Sequence, residues 1–385
     1  MRVINKNIIL KWIYNEAISY PTPINLSFFW SFGVMALFCL ISQIISGIFL
    51  AMHYIPSSEL AFNSVEHIMR DVWGGWFIRY LHANGASMFF LVVYLHISWG
   101  LYYNSYIGDW KYVWLSGVLI FFVMIITAFL GYVLPWGQMS FWAATVITSL
   151  ASAIPFLGDY IVAWLWGGFS VGEQTLIRFF SLHYLLPFIL LALVGSHIII
   201  LHETGSNNPL GINLNWVDWV TFSPFFFLKD LYYIVLFLLV FSYFIFFNPN
   251  YLGHSDNYIP ALPMSTPAHI VPEWYFLPFY ALLRSIPNKL GGVILMILAI
   301  LTLAILPFIH SNYEINSLSS SFNYLRMFFF SLFISIVVLL GWIGGQPIEE
   351  PMYTVGQLLS ILYFFYLLMV LPLLNFYNTK HFLLN

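Results

Sequence analysis

Two apolar segments of the chain carry paired histidines at the same spacing. The first reads HANGASMFFLVVYLH over residues 82–96, and the second reads HYLLPFILLALVGSH over residues 183–197. Fourteen residues at about 100° each fall roughly 40° short of four helical turns, so both histidines of a segment share one helix face, about 21 Å apart along the axis. Two such helices, side by side and parallel, would form two histidine pairs at two heights. This arrangement indicates two metal centres in series.

The composition indicates an integral membrane protein. Of 385 residues, 61% are hydrophobic, 21% aromatic and only 7% charged, whereas soluble domains carry about 25% charged residues. The one cysteine, Cys39, lies in an apolar run, so no disulfide framework and no covalent haem motif are present. The net charge of −3 does not suggest nucleic-acid binding. Since MRVINKNIILKW lacks a signal-peptide pattern, we expect direct insertion from the site of synthesis.

Eight segments are long and apolar enough to cross a bilayer, which takes about 20 residues. We designate them A to H, and they cover Ser31–Met52, Gly75–Tyr102, Tyr112–Leu134, Glu173–His202, Phe227–Phe247, Lys289–His310, Phe322–Gly341 and Met352–Leu373. The two long connections, Pro135–Gly172 and Asn248–Asn288, contain apolar stretches at Phe141–Ala153 and Trp274–Ser285. We expect these stretches to form helices along the interface or folded back into the protein.

The number of segments determines how the histidines pair. Eight spans place both termini on one side, and B and D run in the same direction because C lies between them. His82 is therefore expected to face His183 near the side opposite the N-terminus, and His96 to face His197 nearer the N-terminal side. Both long connections fall on the side of His82.

The distribution of basic residues predicts the orientation. Seven are expected on the N-terminal side: Arg2, Lys6, Lys11, Lys111, Lys229, Arg326 and Lys380. Five are expected on the other side: Arg70, Arg79, Arg178, Arg284 and Lys289. The excess places the N-terminus on the matrix or cytoplasmic face.

Glycines repeat the period of the histidines. Gly33 and Gly47 lie in segment A, and Gly117 and Gly131 in segment C, each pair 14 residues apart. Glycine weakens a helix, so its presence in these segments needs a reason. Close approach of a flat macrocycle at two heights would provide one. Ordinary small-residue helix packing is the alternative, but it does not require this period.

The histidines themselves also have an alternative interpretation. A single intramembrane histidine is often a hydrogen-bonded packing residue, although polar residues at that depth are functional candidates. Four histidines at two identical spacings argue against packing alone. Imidazole ligates haem iron, whereas zinc or copper would need further Cys, Asp or Glu ligands, which these segments lack. Low-spin bis-histidine haem is therefore the expected cofactor.

A set of motifs over nearly the whole chain resembles the cytochrome b family, the membrane core of respiratory complex III. The motifs are GIFLAMHY at 47–54, RYLHANGAS at 79–87, GLYYNSY at 100–106, GYVLPWGQMSFW at 131–142, WGGFSV at 166–171, HETGSNNPLG at 202–211, PEWYFL at 272–277 and RSIPNKLGG at 284–292. The resemblance implies an all-α membrane protein of eight transmembrane helices, in which a four-helix bundle (A–D) holds two stacked haems. It divides the chain into a haem-binding region, 1–211, and a region completing the quinone sites, 212–385.

The family further implies an activity and partners. His82 and His183 would ligate a low-potential b-type haem, and His96 and His197 a high-potential one. The haems would carry electrons between two ubiquinone sites in a quinol–cytochrome c reductase that translocates protons. The implied partners are a Rieske iron–sulfur subunit, a c-type cytochrome subunit, other complex III subunits, lipids including cardiolipin, and a second copy of this chain. The implied location is the mitochondrial inner membrane, with a bacterial plasma membrane as the alternative.

Glu273, in PEWY, is the expected proton acceptor for quinol oxidation. Neighbouring Pro272, Trp274 and Tyr275 provide an apolar setting that should raise the pKa of its carboxyl group. A surface carboxylate is the alternative. Tyr280 would donate a hydrogen bond to the quinol or form a wall of the pocket beside its ring. The expected apolar lining is Phe129, Tyr132, Met139, Trp142, Ala143, Pro272 and Phe276.

His202 and Asp230 are the expected residues of the quinone-reducing site, because the ends of D and E meet on the N-terminal side. Ser206 is a secondary candidate, and Lys229 a proton-uptake or lipid-headgroup contact. A solvated helix start is the alternative for Lys229 and Asp230. Arg79 is expected to pair with a haem propionate, unless it is a snorkelling interfacial arginine.

Two positions depart from the family pattern in ways that affect these sites. Trp99 stands where the family usually has arginine, which predicts a changed propionate partner or a lower potential at the His96–His197 centre. Ala143 stands where glycine is usual, and its methyl group should obstruct bulky inhibitors more than the flexible substrate. A secondary transporter is the alternative function, but it predicts internal repeats and broken helices and does not explain the 14-residue spacings.

Overall fold

A computed structural model describes residues 7–211, 218–310 and 323–376, and these are mainly helical. The helices are α1 Ile8–Ile13, α2 Phe32–Ala51, α3 Ala61–Arg70, α4 Gly75–Tyr102, α5 Lys111–Val133, α6 Gln138–Ser149, α7 Gly158–Trp166, α8 Glu173–Thr204, α9 Phe227–Phe246, α10 Leu277–Arg284, α11 Lys289–Ile309, α12 Tyr324–Gly344 and α13 Met352–Phe365. Turns of 3₁₀ helix occupy Phe28–Ser31, Gly108–Trp110, Leu150–Ala153, Ser255–Tyr258 and Trp274–Phe276. Turns of π-helix occupy Tyr14–Ile18, Phe222–Phe226 and Tyr366–Val370.

The eight predicted membrane spans are confirmed. Together with adjoining turns, the spanning helices cover Phe28–Ala51, Gly75–Tyr102, Gly108–Val133, Glu173–Thr204, Phe222–Phe246, Lys289–Ile309, Tyr324–Gly344 and Met352–Phe376. The seventh span runs three residues further than predicted, and its predicted first residue, Phe322, lies outside the described residues. Arg2, Lys6 and Lys380, used to predict the orientation, also lie outside them.

The first four spans pack as two antiparallel pairs, α2 with α4 and α5 with α8. Phe32, Phe90 and Phe121 lie in one buried apolar cluster that spans α2, α4 and α5. Residues on the outer side of α8, such as Leu185 and Ile199, are exposed, as expected for a helix that faces hydrocarbon. The last three spans form a second buried cluster, which includes Leu303, Leu340 and Leu367.

The two long connections meet on one side of the bundle. The side chain of Gln138 donates to the backbone oxygen of Ser265 (3.0 Å) and accepts from the backbone N–H of Leu262 (2.7 Å). Asn257 Oδ1 accepts from both the backbone N–H and the hydroxyl of Ser140, each at 2.9 Å. These bonds fix the start of α6 against the segment that leads to PEWY.

Several short elements are absent from the sequence-based prediction. They are α1, α3, α7 and a two-stranded antiparallel ribbon of β1, Pro21–Pro23, and β2, Trp219–Thr221. The ribbon joins the segment before the first span to the segment before the fifth. The predicted interfacial stretches do occur, as α6 with its following turn and as the turn at Trp274 with α10.

Candidate functional site

The rings of His82 and His183 face each other across the bundle. Their centroids are 6.2 Å apart and their planes are inclined by 86°. Two imidazole–metal bonds of about 2.0–2.1 Å, plus the distance of each nitrogen from its ring centre, account for a separation of roughly this size. Within the described ranges, no three His, Cys, Asp or Glu side chains group together as ligands. The separation fits one metal held between the two histidines, and imidazole is a ligand of haem iron.

His96 and His197 form the corresponding pair one level away. They are close enough to interact electrostatically, and they lie on the same two helices, α4 and α8, as the first pair. The repeated spacing of 14 residues therefore brings the four histidines together in the two pairs that the sequence predicts. Both pairs are enclosed among transmembrane helices.

Each of the four repeated glycines lies against one of the four histidines. A Cβ atom built on Gly33 would lie 3.4 Å from Cε1 of His96, and one on Gly47 would lie 3.1 Å from Cε1 of His82. On the other helix pair, the distance is 3.3 Å from Gly117 to His197 and 2.4 Å from Gly131 to His183. We expected the glycines to admit a macrocycle, and the contact that the structure shows is with the imidazole ring. Antiparallel packing explains why the two sets of residues share one period.

Hydrogen bonds orient three of the four imidazole rings. His183 Nδ1 lies 2.8 Å from the carbonyl oxygen of Thr127, which can only accept, so Nδ1 carries the proton. His82 Nδ1 lies 2.9 Å from the hydroxyl of Ser46, which itself donates to Ser42 O at 2.7 Å. A hydroxyl whose hydrogen is already engaged serves as an acceptor, so the same tautomer follows.

His197 repeats the arrangement of His82. Its Nδ1 lies 2.8 Å from the hydroxyl of Ser116, and that hydroxyl donates to Val113 O, also at 2.8 Å. A protonated Nδ1 leaves the lone pair of Nε2 free to bind a metal, and the outer hydrogen bond raises the basicity of that ligand. Ser46 and Ser116 were missed by the sequence analysis, although each directly precedes one of the repeated glycines.

A cleft with about 790 Å³ of empty space adjoins the first histidine pair. It is lined by residues of the predicted site, including His82, His183, Gly47, Gly131 and Arg79. The remaining lining is mainly apolar. A flat apolar molecule with an anionic edge fits such a cleft, because Arg79 supplies a cation at its wall.

The PEWY segment is anchored directly to the helix that carries His82 and His96. The indole N–H of Trp274 donates to the hydroxyl of Ser87 (3.0 Å). The hydroxyl of Tyr94 donates to the carbonyl oxygen of Tyr275, whose ring stacks on Phe90 at 4.1 Å. Glu273 is thereby fixed close to α4.

Burial raises the pKa of Glu273 to about 7, although nearby Tyr132 and Arg79 act in the opposite direction. A carboxyl group with a pKa near neutrality can both accept and release a proton under ordinary conditions. The expected apolar setting of this carboxylate is thus present. The raised pKa matches the direction expected from the sequence.

The residues expected around Glu273 fall in two groups. Met139 and Ala143 are buried in α6, and Phe129 packs edge-on against Phe179. In the part of the chain that the structure describes, the Trp142 indole N–H is buried without a hydrogen-bond partner, whereas the Tyr132 hydroxyl interacts with the Glu273 carboxyl group. Buried polar groups are normally paired, so the unpaired indole N–H in α6 is what a polar ligand would satisfy.

The second group lies within the PEWY segment and the helix α10 that follows it. Phe276 packs against Tyr275 and Phe90, and Pro272 precedes Glu273 directly. The ring of Tyr280 lies under the guanidinium of Arg284, 4.7 Å from its centroid, and Arg284 donates to the carbonyl oxygens of Ile343 and Gln346. Tyr280 is therefore engaged at the end of α12.

The predicted quinone-reducing residues contact the N-terminal part of the chain: His202 the segment that precedes the first span, and Asp230 the start of that span. His202 Nδ1 lies 2.6 Å from a carboxylate oxygen of Glu16, and its ring stacks on Tyr20 at 4.1 Å. Asp230 accepts from the Ser31 hydroxyl at 2.7 Å. Glu16 was missed by the sequence analysis, because no local pattern distinguishes it.

Lys229 and Ser206 lie beside this region. Lys229 donates from Nζ to the carbonyl oxygen of Leu26, so it is anchored to the same N-terminal segment. Ser206 follows Gly205, whose φ of +76° ends α8 in a conformation that favours glycine.

Trp99 lies in an aromatic cluster beyond His96. Its ring stacks on Phe29 at 3.6 Å and lies parallel to Tyr103 at 6.0 Å. Arg326, which is 1% exposed, donates to the carbonyl oxygens of Leu101 and Tyr102 just beyond it. A buried cation is therefore bound at the end of α4, although the residue expected to carry charge there is aromatic.

Known proteins are similar to this chain along nearly its whole length. Residues 17–205 match the family model "Cytochrome b/b6/petB", and residues 260–364 match "Cytochrome b(C-terminal)/b6/petD". A cytochrome b of Chondrus crispus is 59% identical, covering 97% of each chain, and one of Marchantia polymorpha is 62% identical, covering 91% of this chain and 86% of the relative.

A solved structure described as a hyperthermophilic respiratory complex III contains a similar chain. It has a TM-score of 0.91 and 36% sequence identity, and the match covers 98% of this chain and 99% of that one. The fold and the sequence thus lead to the same family. The chain belongs to the cytochrome b family, whose members bind b-type haem and transfer electrons as the core subunit of the respiratory quinol–cytochrome c reductase.

Proposed function

We propose that this chain carries electrons across the membrane between two quinone sites through two non-covalent b-type haems. One haem, of lower potential, is held by His82 and His183, and the other, of higher potential, by His96 and His197. The observation that carries the proposal is the pair of imidazole rings facing each other at 6.2 Å. The cleft beside that pair and the proton on Nδ1 of His183 support it, because both leave Nε2 available as a ligand.

The protein residues prepare these sites before any electron moves. Haem, when bound, supplies a one-electron couple at each histidine pair. The glycines make room for the imidazole rings, and Ser46, Ser116 and the carbonyl of Thr127 hold the rings in the ligating tautomer. Arg79 would neutralise a propionate by charge-assisted hydrogen bonds. The two histidines on one helix are about 21 Å apart along its axis. Transfer between the two centres would therefore move the electron across most of the hydrocarbon core, which is about 30 Å thick.

Quinol oxidation is assigned to the pocket beside Glu273. The Glu273 carboxylate would take a proton from a quinol hydroxyl, while Tyr132 and Trp142 supply hydrogen bonds to the ring substituents. Phe129, Met139, Ala143, Pro272 and Phe276 would form the apolar lining, and Tyr280 a more distant wall. The buried methyl group of Ala143 would narrow the slot for rigid inhibitors such as strobilurins more than for a flexible quinol.

Quinone reduction is assigned to the opposite side, at His202 and Asp230. His202 would donate a proton to one quinone oxygen from Nε2, since Nδ1 is occupied by Glu16. Asp230, held by Ser31, would bind or protonate the other quinone oxygen. Ser206 would supply a further hydrogen bond, and Lys229 would guide protons or bind a lipid headgroup.

Uptake of protons on one side and release on the other would couple electron transfer to proton translocation. Residues 1–211 would hold the haems and residues 212–385 would complete the quinone sites, a division supported by two separate family models. The partners would be a Rieske subunit, a c-type cytochrome subunit, cardiolipin and a second copy of the chain. The eukaryotic relatives support a mitochondrial inner membrane. The N-terminus would lie on the matrix side.

A difference spectrum of the purified complex tests the proposal. Dithionite-reduced minus oxidised absorbance should show b-type haem, and extraction should release two haems per chain without covalent attachment. One haem per chain, or haem that resists extraction, would contradict it.

A further inference from the structure

Glu16 forms a direct contact with the expected proton donor of the quinone-reducing site. Its carboxylate oxygen lies 2.6 Å from Nδ1 of His202, although the two residues are 186 positions apart in the chain. The Glu16 side chain is 37% exposed and that of His202 is 22% exposed. Glu16 is therefore the more exposed of the two groups in this contact.

The segment that carries Glu16 is held in place from two directions. The ring of Tyr20 stacks on His202, inclined by only 19°, and the backbone oxygen of Tyr20 accepts from Phe222 N at 2.8 Å. The following residues form β1, which pairs with β2. These contacts fix the approach of Glu16 to His202 from the far end of the sequence.

Tyr20 is not suited to carry the proton itself. Burial, with a smaller effect of the Glu16 charge, raises the pKa of Tyr20 to about 12, so its hydroxyl keeps its proton near neutrality. Lys229 is bound to Leu26 O, and Asp230 to Ser31. Glu203 is exposed at the end of the same helix and no contact between it and the imidazole is shown. Among the described residues, Glu16 is thus the acidic group with a contact to His202.

We propose that Glu16 passes protons from the aqueous phase to His202 during quinone reduction. This inference rests on the proposed role of His202. In each transfer, the Nε2–H bond of His202 breaks as an O–H bond forms on the quinone oxygen. The Oε–H bond of protonated Glu16 breaks as an N–H bond forms at Nδ1, and water then returns a proton to Glu16. Once the product has left, exchange with water moves the proton of neutral His202 from Nδ1 back to Nε2, which restores the starting tautomer for the next transfer. The electrons reach the quinone by the electron transfer that is proposed for this chain, through its b-type haems. No other reductant is therefore required.

Two substitutions separate proton transfer from orientation of the ring. Glu16→Gln keeps an oxygen that can accept a hydrogen bond from Nδ1–H but cannot release a proton. Glu16→Ala removes both abilities. Glu203→Gln is the matched control, because it removes the same charge from the neighbouring residue without altering the contact. His202→Leu reports whether His202 itself is needed.

The experiment measures electron flow from the reduced b haem into added quinone, in the intact complex with quinol oxidation blocked, in H₂O and in D₂O. The Gln and Ala variants should both slow the reaction by about tenfold or more, since a positioned acid–base group contributes that much, and both should show a larger solvent isotope effect. The control should match the wild type. Haem content per chain should be unchanged in all four proteins.

The outcomes that overturn the inference are distinct. A Gln variant with wild-type rate and isotope effect contradicts proton transfer through Glu16, whatever the Ala variant does, because Gln preserves the geometry. If His202→Leu slows the reaction and both Glu16 variants do not, Glu16 has no role and the proposed site stands. If His202→Leu is also without effect, the proposed site itself is wrong.

Discussion

A Cβ atom placed on Gly131 would lie 2.4 Å from Cε1 of His183, closer than two carbon atoms can approach without displacement. The same relationship occurs at Gly33, Gly47 and Gly117, with distances that grow to 3.4 Å. Each glycine lies on the helix antiparallel to the one that carries its histidine. Backbone packing and the placement of the histidine rings are therefore coupled at the same four positions.

Replacement of these glycines by alanine should disturb the centres in the order of those distances. Gly131→Ala must displace His183, because neither a backbone helix nor a ligating ring can move freely, and we expect loss of the lower-potential haem. Gly33→Ala, at 3.4 Å from His96, should retain both haems. Haem content and redox titration of the purified complexes measure the effect. Equal loss in both variants would show that the glycines serve helix packing rather than ring placement.

Removal of the serine hydroxyls should alter one haem at a time. Ser46→Ala removes the acceptor for His82 Nδ1, and Ser116→Ala removes that for His197. Because the outer hydrogen bond makes the imidazole a stronger electron donor, its loss should raise the potential of the haem concerned. We expect the lower potential to rise in the first variant and the higher one in the second. A shift of the other haem in either variant would contradict the assignment of the pairs.

Glu273→Gln should slow quinol oxidation and leave both haem spectra intact. The pKa of Glu273 is about 7, above the ordinary value, so its carboxylate form dominates only above that pH. As the accepting form is the carboxylate, activity should rise with pH through about 7 in the wild type and fall below it. In the variant, the rise of activity with pH near 7 should disappear, and the rate of quinol oxidation should fall by about two orders of magnitude. A pH profile of quinol oxidation that keeps this rise in the variant would assign it to another group.

Trp99→Arg should raise the potential of the haem at His96 and His197. A positive charge at about 10 Å and an effective dielectric constant of 20 stabilises the added electron by about 1–2 kcal/mol, or roughly 40–80 mV. Trp99→Leu is the neutral control, since it also removes the stacking on Phe29. Potentiometric titration distinguishes them. Equal shifts in both variants would attribute the change to lost aromatic packing instead of charge.

The features that were predictable from sequence are those with a local period. The spacing of 14 residues placed the histidines on shared faces, because helix geometry fixes that relationship without knowledge of the fold. The same spacing identified the four glycines. It did not predict that they contact the imidazole rings, because that contact depends on how the helices pack. Ser46 and Ser116 could have been found from their position before the glycines.

Contacts between distant segments were not predictable. Glu16 reaches His202 across 186 positions from a short π-helical turn that has no periodic pattern. The ribbon of β1 and β2 contains three residues in each strand, and β1 has two prolines, which disfavour strand pairing. Tyr280 lies under Arg284, which is one turn further along α10, and Arg284 donates to the carbonyl oxygen of Ile343 in α12, 59 positions away.

A potentiometric titration of the b-haem absorbance tests the two-centre assignment most directly. The intact complex should show two one-electron waves, and His82→Leu should abolish the lower one while the higher one persists. Where the variant does not assemble, Ser46→Ala and Ser116→Ala supply the same comparison through separate shifts. A single wave in the wild type, or loss of the higher wave in His82→Leu, would contradict the assignment.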